Sequence, residues 1–179
     1  MAVLAGAILW GKGDGGIRRV GGAFSLVDTD GRTVTDRDFR GRWVLVYFGY
    51  TSCPDVCPLT LHDMAEALER LGPKGARVQP VFVTVDPQRD TPAVLRAYAA
   101  SIDPRLVALT GPEDAVATTL RAFRVQREIR HVAGQPHDDY LLDHTAVLFL
   151  LGPDGRFIAP VRADEPPDRM AAAIGAHVS

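Results

Sequence analysis

Apolar residues along the chain fall into nearly continuous runs and into helically spaced series. Two nearly continuous runs, WVLVYFGY (Trp43 to Tyr50) and VQPVFVTVD (Val78 to Asp86), are rich in β-branched and aromatic residues. Runs of this length and composition predict strands that are buried on both faces of a sheet. The stretch between them carries leucine and methionine at helical spacing. It predicts a helix that begins at Pro58 and ends before Gly72.

Turn residues and helix caps divide the rest of the chain into further elements. The predicted elements are hairpins over Phe24–Val34 and Thr145–Val161, a helix capped by Thr91, helices over Gly111–Phe123 and Pro166–His177, and a short strand over Leu106–Leu109. Val125–Asp143 is polar and predicts an irregular excursion. Strands and helices that alternate, followed by an antiparallel hairpin and a last helix, predict an α/β fold. The order is typical of a thioredoxin-like sandwich with an N-terminal β-hairpin extension.

Composition indicates one globular domain preceded by an apolar segment. The chain has 179 residues, an apolar fraction of 46% and a charged fraction of 23%, which suits one sizeable core. Its net charge of -2 and lack of a basic run argue against nucleic acid as a partner. The run Met1–Trp10 is shorter than the roughly 20 apolar residues of a bilayer span. We interpret residues 1–21 as a trimmed membrane anchor and tether, with a signal-like segment or an apolar tail as alternatives, and residues 22–179 as the folded domain.

The only two cysteines, Cys53 and Cys57, lie in TSCPDVCPLTL, between a predicted buried strand and a helix. Ligands commonly bind at such strand ends, and a helix N-terminus favours thiolate over thiol. A disulfide across so short a loop would constrain the unfolded chain little, so a purely structural disulfide is the weakest interpretation. The spacing also leaves room for an ion between the sulfurs. A redox dithiol and a metal site both remain open, and Asp55 and the flanking prolines are expected to stiffen the loop.

Copper is the metal that two thiolates suit best. Cu(I) accepts soft ligands in low coordination number, whereas zinc would need more ligands than the cysteines supply. His144 lies in a loop predicted to cover the strand ends, and its ring nitrogen would complete a site for both Cu(I) and Cu(II). Asp143 is a candidate orienting or charge-balancing group. His131 and His137 are interpreted as solvated residues of the excursion, with transient copper docking at His137 as a minority alternative.

Three motifs in register resemble the Sco/SenC copper proteins. They are YFGYTSCPDVCP, VDPQRDTP and YLLDHT, and the resemblance extends over nearly the whole chain from Gly22 onward. It implies a thioredoxin-like fold, an N-terminal membrane tether, and a location on the periplasmic face of the bacterial inner membrane or in the mitochondrial intermembrane space. It implies copper ligation by Cys53, Cys57 and His144, with Asp86 in a supporting position near the metal. The family often has serine where this chain has a threonine after the histidine, which keeps the hydroxyl.

Two functions of different classes follow from the dithiol and the resemblance. The first is a copper-binding metallochaperone that assists assembly of the binuclear CuA site of cytochrome c oxidase. Its expected partners are subunit II of the oxidase and a copper-donating chaperone, and it would have no turnover in the usual sense. The second is a thiol–disulfide oxidoreductase that keeps the copper-ligand cysteines of the oxidase reduced, supplied by a thioredoxin-like reductant. A thiol peroxidase is a weaker third, since Arg89 is only a loose candidate for its activating arginine.

Overall fold

The structure is a computed structural model that describes residues 20–54, 56–131 and 140–179. Its elements in chain order are β1 (Ser25–Val27), β2 (Thr33–Thr35), β3 (Trp43–Gly49), α1 (Val56–Arg70), β4 (Val78–Thr84), α2 (Pro92–Ile102), β5 (Val107–Leu109), α3 (Glu113–Phe123), β6 (Arg127–His131), β7 (Tyr140–His144), β8 (Val147–Leu151), β9 (Phe157–Arg162) and α4 (Pro167–Gly175). Within these ranges no helix is both long and apolar enough to cross a bilayer. The expected anchor and tether fall almost wholly outside the described residues.

A central sheet of five strands, in the order β5-β4-β3-β8-β9, organises the domain. β3, β4 and β5 run parallel, whereas β8 and β9 are antiparallel to their neighbours. β3 lies in the middle of the sheet and is buried at every position except its first, which is half-buried. A central strand with both faces covered requires the nearly continuous apolar run seen in the sequence. The predicted α/β arrangement is therefore confirmed.

Successive residues of β3 point to opposite faces of the sheet, and the two faces meet different helices. On one face, the ring of Phe48 lies 5.1 Å from that of Phe123 in α3. On the other face, Tyr47 and Gly49 lie beneath the start of α1, which itself packs against α4. The N-terminal extension is attached near the end of β5, where the Val27 amide donates to the Thr110 carbonyl at 2.7 Å. β1 and β2 themselves pair antiparallel, from Ser25 opposite Thr35 to Val27 opposite Thr33, which confirms the predicted hairpin extension.

The first residue of α1 determines which of the two cysteines lies in a helix. α1 begins at Val56, two residues before the predicted start at Pro58, so that Cys57 is in its first turn. Pro58 is compatible with this position because the first-turn amides of a helix have no intrahelical acceptor. α2 begins as predicted, with Pro92 in its first turn and the Thr91 hydroxyl accepting from the Val94 amide. Helix α1 thus carries one thiol, and the loop before it carries the other.

The prediction of an irregular excursion over 125–143 is wrong for the residues that the structure describes there. β6 and β7 form an antiparallel pair, in register from Arg127 opposite His144 to His131 opposite Tyr140. REIRH and YLLDH lack a clean apolar–polar alternation, which is why the sequence did not predict strands. His144 is consequently the last residue of a strand and not part of a loop. His137 lies outside the described residues.

Candidate metal centre

The two thiols lie side by side at the junction between β3 and α1. Cys57 is fully buried and Cys53 is half-buried, and neither forms a disulfide. The Cys57 amide donates to the Cys53 sulfur at 3.5 Å. The hydrogen bond between the two thiols, together with burial, raises the pKa of Cys57 far above its ordinary value. Asp55 lies outside the described residues, so its stiffening of the loop stays a prediction.

His144 reaches the dithiol from the end of β7. Its Nε2 lies 3.3 Å from the Cys57 sulfur, across 87 residues of sequence. Its Nδ1 lies 3.2 Å from the Thr145 carbonyl oxygen. A proton on Nδ1 would donate to that carbonyl, and the lone pair of Nε2 would then be directed towards the Cys57 sulfur. The ring also stands edge-on to Tyr47 and Tyr50, with centroids 6.1 and 6.0 Å away, which fixes its orientation.

Gly49 at the end of β3 makes room for the Cys57 sulfur. A Cβ at this position would lie 3.0 Å from that sulfur and 2.9 Å from a carbon of the Phe82 ring. Any larger residue would displace the thiol from the strand end, because atoms at such distances overlap. Sequence reasoning did not identify this glycine as part of the site. The available signal was a glycine near the end of a buried apolar run, four residues before the first cysteine.

A buried network holds the strand that carries His144. The Tyr140 hydroxyl donates to Asp86 at 2.8 Å, and Asp86 is 3% exposed. Arg89 forms an ion pair with Asp86, donates to the Tyr140 carbonyl at 3.0 Å and lies 3.8 Å over the Tyr140 ring. The Leu142 amide donates to the Tyr50 hydroxyl at 3.1 Å. Asp86 is thus connected to the histidine strand through Tyr140 and Arg89, and its influence on a bound metal stays a prediction.

A second buried carboxylate, Asp90, holds the loop that precedes the cysteines. It accepts from the Thr51 amide at 3.0 Å, from the Thr51 hydroxyl at 2.6 Å and from the Thr84 hydroxyl at 2.6 Å. Burial raises the pKa of Asp90, and these hydrogen bonds offset the rise only in part. Asp90 lies in the motif VDPQRDTP, but the sequence alone assigned it no role. An acidic residue immediately before a helix cap was the only sign of this role in the sequence. Its contact with Thr51 in the dithiol loop depends on the fold and cannot be read from the sequence.

Among the described residues, the carboxylate of Asp143 contacts an arginine and not the imidazole of His144. Its carboxylate is 61% exposed and lies 3.5 Å from the Arg130 guanidinium. The Nδ1 of His144 instead contacts the Thr145 carbonyl. The proposed orienting role of Asp143 therefore stays a prediction without a supporting contact. His62, on α1, is exposed.

The candidate donor set of the site is two sulfurs and one ring nitrogen. Among the described residues, no three His, Cys, Asp or Glu side chains already form a group with metal-binding geometry. Cys57 nevertheless contacts both His144 and Cys53, so all three donors belong to one cluster. A cleft lined by Tyr50, Cys53 and His144 among others opens beside it. Soft sulfur with one imidazole fits copper in either oxidation state better than it fits a hard cation.

The fold and the site together define a class: thioredoxin-like proteins with a cysteine pair at the strand–helix junction and a histidine brought in from a separate pair of strands. The family model described as SCO1/SenC matches residues 13–179. The chain belongs to this family.

Solved structures and curated proteins agree with this assignment. The chain is 38% identical to ScoI of Bradyrhizobium japonicum with copper bound, with a TM-score of 0.78 over 88% of this chain and 99% of that one. It is 34% identical to yeast Sco1 with copper bound, with a TM-score of 0.81 over 89% and 88%. It is 38% identical over 164 residues to the mitochondrial SCO1 homolog of Mus musculus, covering 89% of this chain and 56% of that protein. The chain spans 51% to 61% of the first curated relatives' lengths.

Proposed function

We propose that this chain binds copper through Cys53, Cys57 and His144 and assists assembly of the CuA site of cytochrome c oxidase. The observation that carries the proposal is the 3.3 Å contact between the Cys57 sulfur and Nε2 of His144, with the second thiol alongside. Two sources of support come from relatives. Similar proteins have been solved with copper bound, and Sco proteins are a family of cytochrome c oxidase assembly proteins. Subunit II of the oxidase and a copper-donating chaperone are the proposed partners.

Copper is the cargo in this proposal, and the three donors have separate tasks. The two thiolates supply the soft, low-coordinate pair that retains Cu(I). His144 adds the nitrogen that Cu(II) requires, from a strand that is independent of the dithiol loop. Cys57 is buried, whereas Cys53 is half-buried and lines the open cleft. An incoming thiolate of a partner would therefore replace Cys53 first.

The placement of the chain in the cell is part of the same proposal. Residues 22–179 form the copper-binding domain, and residues 1–21 are the end of an anchor that holds it at a membrane. The domain then faces the periplasm or the mitochondrial intermembrane space, which the mitochondrial location of the Mus musculus relative supports.

Copper titration of the His144→Ala variant tests the ligand assignment. We expect Cu(I) to bind at one equivalent, because both thiolates remain. We expect Cu(II) affinity to fall by more than about 100-fold, with loss of the sulfur-to-copper charge-transfer absorption. Loss of a residue that only supports a metal ligand already lowers affinity up to about 100-fold, and loss of the ligand itself should cost at least as much. His62→Ala is the matched control, since it removes an exposed histidine from α1. A Cu(II) affinity and absorption band that survive in His144→Ala contradict the ligand assignment, and a wild-type chain that takes up no Cu(I) contradicts the function.

A thiol–disulfide oxidoreductase is the second candidate, because the two thiols are in contact and one of them is half-buried. The half-buried Cys53 sulfur would attack a partner's disulfide and release one partner thiol. Cys57 would then attack the mixed disulfide, releasing the second partner thiol and leaving a Cys53–Cys57 disulfide for an external dithiol to reduce. The metal-free protein incubated with a mixed disulfide separates the two functions. Stoichiometric copper binding with negligible disulfide turnover supports the metallochaperone. Disulfide turnover without stoichiometric copper binding supports the reductase.

A further inference from the structure

Tyr47 carries a buried hydroxyl that the described contacts leave unexplained. Its side chain is 0% exposed in the middle of β3. Among the described residues, its hydroxyl has no hydrogen-bond partner of good geometry. A phenol in a core normally finds a partner, because an unpaired buried hydroxyl has lost its water without compensation. A phenylalanine would fill the same space without this cost, so the hydroxyl requires an explanation.

The surroundings of this hydroxyl belong to the metal centre. Tyr47 and Gly49 lie on the same face of β3, and a Cβ at Gly49 would come within 3.3 Å of the Tyr47 ring and 3.0 Å of the Cys57 sulfur. The Tyr47 ring also stands edge-on to the imidazole of His144. Burial raises the pKa of this phenol, and the Cys57 thiol and the Thr60 hydroxyl are the polar side chains near enough to affect it by hydrogen bonding. The phenol is thus packed between two of the three proposed ligands.

Of its two polar neighbours, the sulfur is the one that changes when copper binds. Thr60 is directed to the backbone, since its hydroxyl donates to the Ala163 carbonyl at 3.5 Å. A neutral thiol is a weak acceptor, which agrees with the lack of a well-formed bond in this structure. A metal-bound thiolate is a much stronger acceptor, because it carries negative charge. A bound thiolate would therefore give the phenol a stronger acceptor than the neutral thiol does.

We propose that the Tyr47 hydroxyl donates a hydrogen bond to the Cys57 sulfur when the site holds copper, and that this bond shifts the preference of the site towards Cu(I). The inference rests on the proposed copper function. Hydrogen bonds to a cysteine sulfur withdraw electron density from it and so tune the redox balance of a copper–thiolate centre. Tyr47 is a positioning residue here, since it acts on copper through the sulfur and is not itself a ligand.

The Tyr47→Phe variant removes only the hydroxyl and tests the proposal. We expect it to bind one equivalent of copper, with a ratio of Cu(I) to Cu(II) affinity about tenfold lower than wild type, since a bond to a charged sulfur is lost. The sulfur-to-copper charge-transfer band should move to lower energy, because the sulfur becomes easier to oxidise. The stability of the metal-free variant should be unchanged or raised, because in the described part of the chain the hydroxyl has no well-formed partner before copper binds.

Tyr98→Phe is the matched control. Its hydroxyl is also buried without a well-formed partner in the part of the chain that the structure describes, and its ring packs on Phe82 at 5.6 Å. This variant should keep both the affinity ratio and the band of the wild type. A Tyr47→Phe protein that binds copper with a wild-type ratio and band overturns the role of Tyr47 and leaves the copper function standing. A wild-type protein that binds no copper overturns both.

Discussion

At the scale of single residues, Asp90 shows how a buried charge can shape the site from a distance. It accepts three hydrogen bonds, two of them from Thr51, which lies two residues before Cys53. Hydrogen bonds to a charged acceptor are stronger than neutral ones, but the burial of this carboxylate offsets a large part of what they contribute. The position of the dithiol loop therefore depends on a side chain at the start of α2.

Substitution of Asp90 should separate hydrogen bonding from charge. Asp90→Ala should lower the free energy of unfolding by about 2 to 4 kcal/mol, because three donors lose their acceptor. Asp90→Asn should cost less than about 1 kcal/mol, because its oxygen can accept from the Thr51 amide and the Thr84 hydroxyl while its amide donates to the Thr51 hydroxyl. Denaturant unfolding measures both values. Equal losses in the two variants would show that the charge itself is required.

The raised pKa of Asp90 predicts how the free energy of unfolding changes with pH in the wild type and in Asp90→Asn. The pKa of Asp90 is raised in the folded state, so between its ordinary value of 3.8 and that raised value the folded protein binds more protons than the unfolded chain. Stability from this group is therefore fully present below the ordinary value and falls as the pH rises through the window. Asp90→Asn should lack this fall, while the remaining groups titrate as in the wild type. A stability profile that keeps the fall in Asp90→Asn would assign it to another residue.

At the scale of elements, the β6–β7 pair positions the histidine and is the part of the fold that the sequence pattern missed. β3 and β4 were predictable, because a strand buried on both faces leaves a continuous apolar run. β6 and β7 lie outside the central sheet, and most of their residues are half-buried or exposed. Such strands are held by cross-strand hydrogen bonds and by polar contacts such as that of Tyr140 with Asp86. Because these contacts do not require alternating apolar residues, the sequence shows no strand pattern there.

The Tyr140→Phe variant tests whether this attachment positions His144. Loss of the bond to Asp86 should lower the local opening free energy of β7 by about 1 to 3 kcal/mol. Amide hydrogen exchange of β7 should therefore accelerate, and Cu(II) affinity should fall, while Cu(I) affinity stays near wild type. Arg130→Ala, which removes the exposed ion pair to Asp143 in the same strand pair, should change exchange little. Unaltered exchange and Cu(II) binding in Tyr140→Phe would show that β7 is held by its backbone pairing alone.

At the scale of the whole molecule, the site joins parts that no local pattern connects. Cys53 and Cys57 were predictable as a pair from their spacing and from the strand before them. His144 was a candidate from its place just before a predicted strand, and the family resemblance then implied that it is a ligand. Its place at the end of a strand, and not in a loop, was not predictable from the sequence pattern. Gly49 and Tyr47 were predictable only as the end and the interior of a buried strand. Their proximity to the sulfur depends on how α1 crosses the sheet, which is a property of the folded chain.

Because the proposed donors come from both the strand–helix junction and the β6–β7 pair, copper should stabilise the molecule as a unit. A ligand that binds only the folded state at 100 times its Kd adds about 2.7 kcal/mol to the free energy of unfolding. For a domain of this size, that corresponds to a rise in Tm of roughly 5 to 11 °C. Calorimetry of the reduced protein with and without Cu(I) measures this rise, and removal of copper by a chelator should reverse it. Cys57→Ser should abolish the rise, and His144→Ala should retain most of it, because the two thiolates hold Cu(I). An equal rise in Cys57→Ser would mean that copper stabilises the protein from a different site.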